Sequence, residues 1–312
     1  MDILNVLSRE ERAAFTLRAL YAEHGYAQYK MSKFEEYALY VKNKDFLVSE
    51  NVITFTDTDG KLLALKPDVT LSIIKNSKDV ADGLMRVYYN ENVYRVSRGT
   101  RSFKEIMQAG VECLGAVDVG IITEVLFLAA KSLDVLSERN VLEISHLDIV
   151  SGIIDAFSVS ETGKKELFLQ LGAKNAQGVE AVCREEGLTE AQTGLLKKLV
   201  TLYGAPEKVL PKLECFKIND VCKQAVEQLA SVVAQLAKMG VDEKLRIDFS
   251  VVGDRNYYNG IAFKGFVEGL PVGILSGGQY DKLMRRMHKT AKAIGFAVYL
   301  DELSKLPAER EA

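Results

Sequence analysis

Four short polar stretches carry the residue types from which a site can be built. Leu65-Lys66-Pro67-Asp68-Val69-Thr70 places a carboxylate and a hydroxyl two residues apart, just after a proline that restricts the backbone. Met107 to Glu112 carries Gln108 and Glu112, which share a face if the chain is extended. Asn256 to Gly260 contains the pair Tyr257 and Tyr258. Ser276 to Asp281 contains Gly277-Gly278 followed by Gln279, Tyr280 and Asp281. Each stretch is weak alone. Together they allow two readings. One is a buried hydrogen-bonded network. The other is a small polar pocket, in which Asp68 and Glu112 hold an ammonium group and the tyrosines wall in a planar ring. Glycines would then let the backbone come close to the ligand.

Other chemistries lack their residues. The sequence has no G-x-x-x-x-G-K-[ST] loop, G-x-G-x-x-G, G-x-S-x-G or H-E-x-x-H. The glycine-rich run 269–278 lacks a phosphate-loop lysine. Four scattered cysteines and three distant histidines give neither a disulfide framework nor a metal spacing, so reduced thiols and no metal or cofactor are expected. A net charge of -3 supplies no general basic face, so no nucleic-acid partner is expected. The one basic cluster is Lys282, Arg285, Arg286, His288, Lys289 and Lys292, which reads as a solvated helix face. Without an apolar leader or a membrane-length apolar run, a cytoplasmic protein with no membrane partner is expected.

These stretches need elements to position them. Ser8 and Glu11 have capping-box spacing for a first helix that ends at Gly25, with His24 packed or capping. Asp59-Gly60 marks a hairpin between 52–55 and 61–65. Strands are expected over 85–94 and 105–114, then a helix through Ile122, Leu126, Ala129, Leu133 and Leu136. Residues 142–150 read as a strand with His146 and Asp148 on one face. From 151 to 240 the pattern is helical. Thr189 and Gln192 form a second capping box, and Val221, Ala225, Leu229, Val232, Leu236 and Met239 form an apolar stripe. Strands return over 245–252, 261–267, 272–275 and 294–300, with a Gly277-Gly278 turn before a helix over 280–287. This order gives an α+β fold with an antiparallel sheet. Residues 1–150 and 241–312 would form the core, and 151–240 a helical insertion.

In this order the four stretches resemble the histidyl-tRNA synthetase family, including its regulatory-subunit branch, the HisZ family. Leu65 to Thr70 is similar to the family's L-R-P-E-x-T segment. Gln108 to Glu112 is similar to the end of class II motif 2, Q-x-G-x-E. Tyr257 to Gly260 resembles the Y-Y-T-G signature, and Gly277 to Asp281 resembles the G-G-R-Y-D segment. The likeness covers nearly the whole chain. It implies a class II aminoacyl-tRNA synthetase-like fold, a six-stranded antiparallel sheet flanked by helices, with a helical insertion. It also implies that Asp68, Thr70, Gln108, Glu112, Tyr257 and Tyr258 surround a histidine-like ligand.

Departures from the family pattern carry the functional reading. Gly253 stands where the synthetase has an arginine, and Ser97 where it has its adenine-reading glutamate. Ile106 replaces the aromatic residue that stacks on adenine, although Arg95 remains. In the motif 3 segment, Tyr299 stands at the second glycine's place and Glu302 at the arginine's, where its anion is expected to face the nucleotide. Each lost charged donor typically costs ~10²–10³ in rate, so adenylation is expected to be lost. The sequence runs only a little past motif 3, which implies no anticodon-binding domain. The resemblance therefore implies a non-catalytic regulatory subunit of ATP phosphoribosyltransferase. Its partners would be the short-form catalytic subunit, a second copy of itself through a dimeric core, and histidine as feedback effector. Motif 1, over 25–37, lacks its usual proline near Ser32. Two alternatives stay open at this level: an amino-acid-activating enzyme that keeps Arg95, and an RNA-binding or amino-acid-sensing module using the basic helix.

Overall fold

The computed structural model describes residues 6–44, 47, 52–78, 83–96, 102–252 and 257–307. The chain opens with α1 (Arg9–Glu23), β1 (Ala27–Gln28), β2 (Phe34–Glu36), α2 (Tyr37–Lys42), β3 (Thr54–Thr56), β4 (Leu62–Leu65) and α3 (Val69–Asn76). Two long strands follow, β5 (Leu84–Val96) and β6 (Phe103–Gly115), then α4 (Val119–Leu136) and β7 (Asn140–His146). The helical stretch comprises α5 (Leu147–Ala156), α6 (Glu161–Gly172), α7 (Ala176–Glu185), α8 (Glu190–Thr201), the short β8 (Tyr203–Gly204), α9 (Pro206–Val209) and α10 (Asp220–Lys238). The chain returns as β9 (Leu245–Asp248), β10 (Asn259–Val267), β11 (Leu275–Gln279), α11 (Asp281–Arg286) and β12 (Lys292–Tyr299).

The main sheet has the order β1-β5-β6-β12-β11-β10-β7-β9-β8. Its central six strands, β5 to β7 in that order, are antiparallel throughout, as the resemblance implied. Two parallel pairings, β1 on β5 and β7 on β9, extend it at its ends, and β8 closes the far edge. Alternation divides each strand between two faces. On β6, Ala109, Val111 and Cys113 enter the larger apolar core with α1 and α4, while Gln108, Gly110 and Glu112 face the other way. That second face is covered by α3, α11 and a three-stranded sheet, β2-β4-β3, around a smaller core of Leu71, Ile73, Ile74, Val87 and Leu283. The site lies between these layers.

The local signals explain most elements. Both capping boxes form, Ser8 with Glu11 and Thr189 with Gln192. His24 sits at the C-cap of α1, with its Nδ1 2.8 Å from the Leu20 carbonyl. The β3–β4 turn puts Gly60 at φ +81, where a side chain would be strained. Leu167, Leu171, Val179 and Leu229 of the helical stretch join the same apolar core as the sheet.

Three expectations need correction. The strand expected over 142–150 ends at His146, because the His146 side chain accepts a hydrogen bond from the Asp148 N–H and caps α5. Asp148 is therefore in a helical first turn, not beside His146 on a strand. Val221 and Met239 of the expected stripe are exposed, while Cys222, Val226 and Val233 are buried. The stripe has the right period, but at its start Cys222 takes the buried place expected for Val221, and Met239 lies past the helix end as its C-cap. Finally, Gly277 and Gly278 form no turn. They lie inside β11, where a Cβ on Gly277 would sit 2.5 Å from the Gly295 carbonyl and from the Phe263 ring. The glycines are required by packing between strands. No helix among the described residues is long and apolar enough to cross a membrane.

Candidate functional site

The β4–α3 corner sets the first half of the site. Lys66, fully buried, pairs with Glu91 of β5 at 2.9 Å, and its carbonyl accepts the Tyr94 N–H. Arg95 donates from Nε to the Pro67 carbonyl at 3.0 Å. The backbone at 66–67 is thereby clamped to β5. Asp68 follows as the N-cap of α3, its Oδ1 accepting the Leu71 N–H at 2.8 Å. Thr70 lies in the first turn. Asp68 and Thr70 thus reach the site from a helix start, not by alternation along an extended segment.

β6 supplies the second half. Glu112 is buried and accepts two hydroxyl hydrogen bonds, from Thr70 at 2.6 Å and from Tyr280 at 2.5 Å. Two glycines keep the floor bare. A Cβ on Gly295 would collide with the Glu112 carboxylate, and one on Gly278 would lie 2.8 Å from the Tyr258 ring. The rings of Tyr257 and Tyr258 meet edge to face, with centroids 4.7 Å apart, and Tyr280 lies 6.0 Å beyond Tyr257. These groups enclose a cavity of about 340 Å³, the size of a small ligand pocket.

Asp68, Thr70, Gln108, Glu112, Tyr257 and Tyr258 all line this cavity. Sequence reasoning did not single out Tyr89 or Lys264 for it, although both line it, together with Ser276, Tyr280 and Tyr299. Ser276 and Tyr280 stood in a stretch already singled out. Lys264 had a usable signal, since it is the one charged residue in the otherwise apolar run 261–267. Asn259 and Asp281 serve the frame instead: they bond to each other at 3.1 Å, and Asp281 also accepts the Ala293 N–H. Gly253, Ser97 and Asn256 lie outside the described residues.

Two carboxyls in one buried cavity disfavour each other's ionisation. Burial pushes Glu112 up to about 8, opposed by the Thr70 and Tyr280 hydroxyls and reinforced by Asp68. Burial also raises Asp68, against the Leu71 N–H and the Arg95 charge. A cation entering between them would relieve both. The acid end of the cavity is therefore suited to an ammonium group. Among the described residues no group of side chains could hold a metal ion.

The motif 3 segment divides the two expected obstacles. Tyr299 does line the cavity, with its hydroxyl 2.7 Å from that of Ser276. Glu302 does not. It lies in the turn after β12 and pairs with Lys305 at 2.5 Å, so its charge is answered locally instead of facing a nucleotide. Ile106, half-buried, packs against the smaller apolar core.

The sequence profile of the histidyl-tRNA synthetase family matches residues 5–303. The chain belongs to this family. Within it, an ATP phosphoribosyltransferase regulatory subunit from Alkaliphilus metalliredigens is 28% identical over 291 residues, covering 91% of this chain and 73% of the relative. Two solved structures share the fold. One, from Bacillus halodurans C, is described as an ATP phosphoribosyltransferase regulatory subunit/histidyl-tRNA synthetase. It superposes with a TM-score of 0.84 at 24% identity, over 96% of this chain and 79% of that one. The other is from the ATP phosphoribosyl transferase (HisG:HisZ) complex of Thermotoga maritima. Its TM-score is 0.73 at 17% identity, over 96% of this chain and 98% of that one. These family likenesses span both the sheet and the helical stretch.

Proposed function

We propose that this chain is a non-catalytic regulatory subunit of ATP phosphoribosyltransferase. In this reading it binds the short-form catalytic subunit, supports its activity and makes it sensitive to histidine. The observation that carries the reading is the match over nine-tenths of the chain to a relative bearing that name. The site fits it: the acid end suits an amino group, while the Tyr299 ring takes space on the floor beyond.

Histidine would occupy the cavity among Asp68, Thr70, Gln108, Glu112, Tyr257 and Tyr258. Inhibition then requires that histidine bind one state of the complex more tightly than another, and that difference is the coupling energy. Residues 1–150 and 241–312 would act as the synthetase-like core, with 151–240 as an insertion, and two copies would associate through the core. The test is phosphoribosyl-ATP formation by the short catalytic subunit, with and without this chain, over a histidine titration. Activation that histidine then suppresses supports the reading. No effect on activity or inhibition overturns it and returns pyrophosphate exchange and RNA binding to consideration.

A further inference from the structure

The two ends of the cavity differ in charge. Asp68 and Glu112 lie at the α3–β6 end. The registers of three strand pairs set Gly110, Ala297, Ser276 and Lys264 side by side across β6, β12, β11 and β10. Cross-strand neighbours point to the same face, so Lys264 and Ser276 open onto the face that carries Glu112. With strands about 4.8 Å apart, that row spans roughly 14 Å. The Glu112 side chain, a small amino acid and an extended lysine stem can fill this span between them.

Two cations line the cavity, Arg95 and Lys264. Arg95 belongs to the acid end, since its Nε is held by the Pro67 carbonyl and its charge acts on Asp68. Lys264 forms no hydrogen bond or ion pair among the described residues. Its cross-strand neighbour on β7 is Glu143, whose carboxyl feels the Lys264 charge but does not line the cavity. Beside Lys264 lies a set of hydroxyls, Ser276 bonded to Tyr299 at 2.7 Å and approached by Tyr258. Two hydroxyls joined by one hydrogen bond keep one hydrogen to donate. An exposed ammonium and a spare hydroxyl donor beside it make an anion subsite.

We propose that Lys264, with this hydroxyl group, anchors the ligand's carboxylate, so that the cavity selects a free α-amino acid over the corresponding amine. This rests on the cavity being the effector site, as proposed above. Lys264 is exposed at the cavity mouth, so replacing it removes no core packing.

The experiment is titration calorimetry of the full chain with L-histidine and with histamine, which lacks the carboxylate. The wild type is expected to bind histidine at least tenfold more tightly, the range of a charge-assisted hydrogen bond. Lys264→Ala should bring that ratio close to one by weakening histidine while leaving histamine unchanged, and Lys264→Arg should keep most of it. Equal binding of the two ligands by the wild type would overturn the proposal, as would an undiminished ratio in Lys264→Ala. In both cases the effector reading stands, because histidine still binds. Binding of neither ligand overturns the anchor together with the effector site.

Discussion

Removing the charge of Glu112 while keeping its shape, as Glu112→Gln does, should change how stability depends on pH. The carboxyl ordinarily titrates near 4.5 and is pushed up to about 8 in the folded protein, chiefly by burial. Between these values the native state keeps a proton that the unfolded chain has released. Stability therefore falls as pH rises through this window and levels off above it. Integrating the two titrations from about pH 6 to about pH 8.5 gives a loss of roughly 2–3 kcal/mol in the unliganded protein. The glutamine variant has no such proton and should lack that loss. Urea denaturation of both proteins at the two pH values, with the midpoints converted to free energies, checks this. Curves that run parallel with pH would refute the reasoning. They would mean that Glu112 titrates near its ordinary value, and hence that water reaches the carboxyl and the cavity is not the low-dielectric site described.

Four further outcomes follow from the same geometry. Glu112→Gln should also weaken histidine affinity by about tenfold or more while leaving association with the catalytic subunit intact, read by calorimetry and size-exclusion chromatography. Gly295→Ala places a Cβ against the Glu112 carboxylate, so it should abolish histidine binding and cost about 1–3 kcal/mol in chemical denaturation. Leu229→Ala, at a fully buried position of α10, should cost about 2–5 kcal/mol, whereas Val221→Ala on the same helix should stay within about 0.5 kcal/mol. His146 is held below its ordinary value by burial, so its contribution to stability is present above that value and is lost as pH falls beneath it. His146→Gln should flatten the acid limb of the stability curve, and an unchanged limb would count against this.

The local chemistry of the chain was legible in its sequence. Capping boxes at Ser8 and Thr189, the Asp59-Gly60 hairpin and the helical periodicity of α4 and α10 arise from interactions within a few residues, and all of them form. The six residues that short motifs resembling a known family single out all line one cavity. Contacts between distant segments were not legible. Whether Gly277-Gly278 makes a turn or a strand depends on β12 and β10 crowding its Cα atoms, through residues such as Phe263 and Gly295 that lie beyond the reach of local propensity. The charge of Glu302 is an obstacle to a nucleotide only if it faces the cavity, and the turn after β12 places it outside the cavity lining, beside Lys305. Lys264 reads as one exposed cation in an apolar strand until the registers of three strand pairs bring it onto the same face as Glu112. Sequence determines what each segment can do alone, because propensity, capping and periodicity act over a few residues. Tertiary structure decides which side chains share a cavity and at what charge, because burial and strand register are set by parts of the chain far apart.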